Sequence, residues 1–138
     1  ATPTTTSTPT PTATKTATYI PWTLTPTQAA FSCSVTSFSP ALNASIAPDS
    51  DFDATWVIKN TGKQTWIHSD IDIYYSSGTK LQKLVNGLDL ANDVASGESY
   101  TAKVDMHSPS VLGTYSTTWV VGRGDEVFCS MMLTIIVK

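Results

Sequence analysis

Charge is what this chain has least of. Asp, Glu, Lys and Arg make up 14% of its 138 residues, against roughly 25% in typical soluble domains. The cations are scattered: Lys59, Lys63, Lys80, Lys83, Lys103 and Arg123 form no cluster. With a formal net charge of −3 and no basic stripe, the chain lacks the electrostatic footprint of a nucleic-acid binder. Long hydrophobic runs are missing too. The longest, from Met131 to Val137, contains Thr134. It falls well short of the roughly 18 residues of a membrane span and suits a strand. No basic stretch followed by an apolar one marks a signal peptide. The sequence opens on Ala1 inside a Thr/Pro tract, which reads as a piece of a longer protein with any signal or anchor upstream.

Catalytic groupings are equally sparse. His68 and His107 are the 2 histidines, and neither sits in an H-x-x-x-H or H-x-H pair that would suit a metal. No G-x-S-x-G turn presents a nucleophile. Gly122-Arg123-Gly124 joins two strands rather than a strand and a helix, so it is no phosphate loop. The expectation is a chain that is not an enzyme and needs no cofactor. Asp49, Asp51 and Asp53 alternate like the start of a calcium loop. However, no Gly follows Asp53, and the twelfth position is Asn60 rather than Glu. A solvated turn is the plainer reading, with calcium as the weak alternative.

The 2 cysteines, Cys33 and Cys129, stand near the two ends of the non-repetitive part. In a Thr-rich chain of secreted character such a pair reads as a disulfide, with two separate thiols as the other reading.

Two regions are present. Residues 1–28 alternate Thr and Pro, with Tyr19, Ile20 and Trp22 as the interruptions. Such a segment buries too little apolar surface to offset its ordering entropy. It is expected to be a disordered, semi-stiff spacer. Residues 29–138 carry a period of two. Phe52, Ala54, Trp56 and Ile58 fall on one side of a strand, with Asp53 and Lys59 on the other. Asn60-Thr61-Gly62-Lys63 predicts a tight turn, with extended structure resuming through Trp66. Ile71, Ile73 and Tyr75 oppose Asp70, Asp72 and Tyr74. KLQKLV predicts a short strand, followed by a loop at Asn86-Gly87. Tyr100, Ala102, Val104 and Met106 then share a side, as do Tyr115, Thr117, Trp119 and Val121. A turn at residues 122–125 leads to the last strand.

Seven to nine short strands, with turns every eight to twelve residues and no helical period, predict an all-β fold: an immunoglobulin-like antiparallel β-sandwich. Trp56, Trp66 and Trp119 are expected in its core. Tyr115, at the start of the penultimate strand, is expected at a tyrosine corner.

The run Phe52-x-x-Thr55-Trp56-x-x-x-Asn60-Thr61-Gly62-x-x-x-Trp66 resembles the first half of the four-tryptophan domain. That is the central Ig-like domain of a selective-autophagy cargo receptor, with similar domains in bacterial extracellular proteins. Ser96-Gly97-Glu98, Ser108-Pro109, Leu112-Gly113-Thr114-Tyr115 and Trp119 resemble its second half. The likeness spans residues 31–137. Where the family has its fourth Trp, this chain has Met131-Met132. Where many bacterial relatives have a Cys before the second Trp, it has Gln64-Thr65, which leaves Cys129 as the partner for Cys33. The resemblance implies a protein-interaction role in a secreted or surface setting.

The expected function is a non-catalytic interaction or spacer module of a secreted or surface-anchored protein, tethered by a region outside this sequence. Its partner would be a protein or a cell-surface glycan. The alternative is a carbohydrate-binding module using Tyr74, Tyr75 and Trp66, which requires a flat row of exposed aromatics. Asn43-Ala44-Ser45 is a glycosylation sequon.

Overall fold

The computed structural model describes residues 2–3, 9–14 and 27–138. Tyr19, Ile20, Trp22 and most of the expected spacer lie outside the described residues. Eight strands and no helix occur among those described: β1 (Cys33–Ser39), β2 (Ala44–Ile46), β3 (Asp51–Asn60), β4 (Asp72–Gly78), β5 (Gly87–Asp89), β6 (Ser99–His107), β7 (Gly113–Arg123) and β8 (Glu126–Val137). They form two sheets, ordered β1-β3-β6 and β2-β8-β7-β4-β5. The fold is the all-β, immunoglobulin-like sandwich that the alternation predicts.

The period-two pattern works as a sorting rule. Along β3, Ala54, Trp56, Ile58 and Asn60 are buried while Asp51, Asp53 and Lys59 are exposed. Along β6, Ala102, Val104 and Met106 are buried, with Lys103, Asp105 and His107 outside. β7 and β8 add Thr117, Trp119, Val121, Met131, Leu133 and Ile135 from the opposite sheet. Trp56, Trp66 and Trp119 are all fully buried, and each is worth about 2 to 3 kcal/mol in removed apolar surface. The Trp56 and Trp119 rings lie 6.5 Å apart across the interior, and Tyr75 meets Trp119 edge-on at 6.4 Å. Phe128 links Trp66, at 5.4 Å, to Phe31, at 5.5 Å. Met131 is buried opposite Trp119 in the register.

Three local expectations are corrected. First, the sheets are not wholly antiparallel. Pro40, which has no N–H to donate, follows β1; the chain then changes sheets, and β2 runs parallel to β8, pairing Ala44 with Ile135 and Ile46 with Val137. Second, the turn at Asn60 makes no hairpin. β3 pairs with β1 and β6, and residues 61–71 cross to the other sheet, anchored by reciprocal 2.9 Å backbone bonds between Trp66 and Val94. The buried Asn60 amide fixes this crossing. It donates to the Gln64 and Val94 carbonyls, at 2.9 Å each, and accepts from the Gly62 N–H at 3.0 Å. Position 62 has no room for a side chain, because the Ala30 and Ser32 backbone presses against it. Third, KLQKLV is not a strand. Leu81 and Lys83 instead cap the free edge of β6, with Leu81 accepting from His107 N at 2.8 Å and Lys83 N donating to Asp105 at 3.1 Å. The short strand falls at Gly87–Asp89, where a loop was expected.

Cys33 and Cys129 form the expected disulfide, with Cα atoms 5.5 Å apart, joining β1 of one sheet to β8 of the other. The bridge implies an oxidising, non-reducing environment.

Candidate functional site

The Asp run is tied into ion pairs. Asp51 accepts from Lys83 Nζ on one carboxylate oxygen and pairs with His107 Nδ1 on the other, each at 2.6 Å. Asp53 pairs with Lys103 at 2.8 Å, and Asp49 stands 3.9 Å from His107 Nε2. The Lys83 ammonium, then His107, holds the Asp51 carboxyl below its ordinary range, and Lys103 does the same for Asp53. Asp51 and Asp53 are thus each paired with a lysine, Lys83 and Lys103. Among the described residues no three His, Cys, Asp or Glu side chains are placed to hold a metal. His68 likewise pairs with Asp93, at 2.6 Å.

The aromatic candidates separate instead of forming a row. Trp66 is buried. Tyr75, half-buried, packs inward onto Trp119, and its hydroxyl donates to the Gly78 carbonyl at 2.5 Å. Tyr74, also half-buried, is directed to the other side of the sheet, across Gly122, where an added Cβ would meet its hydroxyl at 3.3 Å. The half-buried Tyr115 donates from its hydroxyl to the Val111 carbonyl at 2.7 Å, back across the β6–β7 loop. This is the bond of a tyrosine corner.

One concavity was missed by sequence reasoning. A cleft of about 330 Å³ opens where residues 64–71 meet the β7–β8 turn and the residues just before β1. Phe31, Ile67 and Ile71 supply its apolar wall, and Gln64, Asp70 and Arg123 its polar rim. The Arg123 guanidinium lies 5.3 Å from the Phe31 ring centre, a cation–π contact that orients it without neutralising it. Among the described residues no carboxylate pairs with Arg123. Its signal in the sequence was faint: a lone Arg in a Gly-x-Gly turn, more than ninety residues from the Phe it covers.

Comparison with known proteins agrees with this architecture. A family model, the Ig-like domain from next to BRCA1 gene, matches residues 41–137. No curated protein matches the chain. Among solved structures, a chain of the complex between zinc 2-glycoprotein and prolactin inducible protein from human seminal plasma superposes with a TM-score of 0.55 and 13% identity, over 78% of this chain and 94% of that one. The CARDB domain of PF1109 from Pyrococcus furiosus gives 0.51 and 8%, over 79% of this chain and 96% of that one. At these identities the likeness is one of fold.

Proposed function

The chain belongs to the family of the Ig-like domain from next to BRCA1 gene, and on that footing we propose that it is a non-catalytic protein-interaction module of a secreted or surface-anchored protein. Residues 29–138 are the module. Residues 1–28 are the spacer that holds it off its anchor. Within the family it is of four-tryptophan type, with Trp56, Trp66 and Trp119 kept and Met131 in the fourth place. The disulfide supports an extracellular setting, and a bacterial surface protein is the parent that the resemblance favours.

The observation that carries the reading is the cleft next to the start of β1, with an apolar wall and, among the described residues, an unpaired, pre-oriented Arg123 on its rim. That chemistry fits an extended peptide that places an aliphatic side chain against Phe31, Ile67 and Ile71 and a carboxylate on the guanidinium. The glycan alternative has no such support, since a single outward tyrosine is not a stacking platform.

Selection of random peptides on the immobilised chain should enrich an acidic residue beside an aliphatic one. Arg123→Ala should weaken the selected peptides about tenfold, the equivalent of about 1.4 kcal/mol. Selected peptides that bind Arg123→Ala as well as wild type, or no enrichment at all, would refute this site.

A further inference from the structure

The cleft carries two uncompensated charges, and they are of opposite sign. Arg123 faces Glu126 across β7 and β8 in the register, yet no ion pair joins them. The guanidinium lies over Phe31 instead. Asp70 comes from a different segment. The Ile67 carbonyl accepts from Asp70 N at 2.9 Å and from Ile71 N at 3.1 Å, and this tight turn brings Ile67, Asp70 and Ile71 to the cleft together. His68, inside the turn, is tied to Asp93 through its backbone N–H at 2.9 Å and its ring at 2.6 Å. Neither residue of that tie lines the cleft, so the turn is held in place without using the cleft's own groups. The Asp70 carboxylate accepts from its neighbour Ser69 at 3.0 Å. Among the described residues it has no cationic partner, Arg123 included.

The surroundings decide what such a cleft accepts. Asp125 and Glu126 share the turn region of Arg123, Asp72 follows the turn of Asp70, and all three are exposed. A ligand whose only charge is a carboxylate would reach Arg123 but be repelled by Asp70 and these neighbours. It would also strip water from Asp70 and put nothing in its place. A free inorganic anion meets the same opposition.

Building on the peptide reading of this cleft, we propose that Asp70 is its second specificity determinant, and that the peptide carries a lysine or arginine as well as an acidic residue, one on each side of the aliphatic residue. The acidic side chain meets Arg123, the basic one meets Asp70, and the aliphatic one lies between them on the apolar wall. The Gln64 amide and the Thr65 hydroxyl, which also line the cleft, both donate and accept, and so suit the peptide main chain. The arrangement rejects as well as selects. A wholly acidic or wholly basic segment brings a like charge to one of the two walls.

The test is the same random-peptide selection run in parallel on the full chain, on Asp70→Asn and on Arg123→Ala. Wild type should enrich acidic, aliphatic and basic residues together. Asp70→Asn should lose the basic preference and keep the acidic one, and Arg123→Ala the reverse. In titrations of the selected peptides, replacing their basic residue by glutamine should weaken binding to wild type about fivefold, the upper end for a solvent-accessible ion pair, and barely affect binding to Asp70→Asn. Asp70→Lys should prefer an acidic residue in the basic one's place, an inversion that a merely structural role of Asp70 would not produce. Enrichment of acidic and aliphatic residues without a basic one overturns the proposal and leaves the peptide cleft standing. So does a basic preference that Asp70→Asn retains in full. A basic preference that depends on Asp70, with no acidic one, supports the proposal for Asp70 and refutes the carboxylate on Arg123. No enrichment at all overturns both.

Discussion

The two outer sides of the sandwich are built on the same alternation and reach opposite solutions. On β3 and β6 the outward positions hold Asp51, Asp53, Lys59, Lys103, Asp105 and His107, several of them tied into ion pairs. On β7 and β8 they hold Thr114, Ser116, Thr118, Ser130, Met132 and Thr134. Neither assignment affects which residues face the core, so folding does not dictate the difference. A charged side keeps its hydration and resists close packing with its own kind. An uncharged side sheds water readily and tolerates contact. The low overall charge of the chain thus comes from one sheet and from the Thr/Pro tract, in which Lys15 is the one charged residue.

The largest test of this division removes what joins the sheets. Cys33→Ala/Cys129→Ala should lower stability by about 4 to 5 kcal/mol if loop closure is the main effect. Guanidinium unfolding with and without reductant measures it, and a loss below about 1 kcal/mol would show that the sheets hold together without the bridge. Next come the two tryptophans that face each other across the interior. Trp56→Ala and Trp119→Ala should each cost about 3 to 5 kcal/mol. A markedly smaller loss for one would mean that its sheet repacks on its own. Thr117→Val should act in the other direction. The Thr117 hydroxyl is buried in β7 without a protein hydrogen bond, so the near-isosteric valine should raise stability by about 1 kcal/mol, and a fall in melting temperature would contradict this.

The smallest effect is in the charged side itself. The carboxyls of Asp51 and Asp53 are lowered from the ordinary 3.8. Their contribution is therefore complete above that value and is lost as pH falls through the lower, folded-state values. Asp51→Asn and Asp53→Asn should be slightly less stable than wild type near neutrality and equal to it in strong acid. Because these groups are solvent-exposed, salt should shrink the difference. A gap that persists in acid would mean that the asparagines act through packing.

The strands whose residues alternate between water and a core were legible in the sequence: β3, β6, β7 and β8 fall where the pattern puts them. That pattern even placed Tyr75 with Ile71 and Ile73, so its inward position was readable, although it was also entertained as a ligand contact. What stayed hidden is set by partners distant in the chain. β2 is three residues long and defined by a parallel neighbour ninety positions away. Leu81 was taken for part of a strand because it is apolar, whereas it covers the edge of β6. Asn60 looked like a turn former because Asn-x-Gly usually is one; its role depends on Val94, and no local rule includes that residue. The site was less legible than the fold. Arg123, Phe31 and Ile67 come from three separate segments, and the unlike sides of the two sheets emerge only once register aligns Thr118 with Met132.

The disulfide has a mechanical consequence. Tension applied along the chain from both ends enters the sandwich at Cys33, crosses covalently to Cys129, and leaves through the end of β8. The strands between those two residues carry none of the load. Only the short stretch before Cys33, bonded to residues 61–64, and the last part of β8 can be peeled, and β7 and β2 grip the latter on both sides. Pulled from its two ends, the folded part would lengthen by those two end segments and no more.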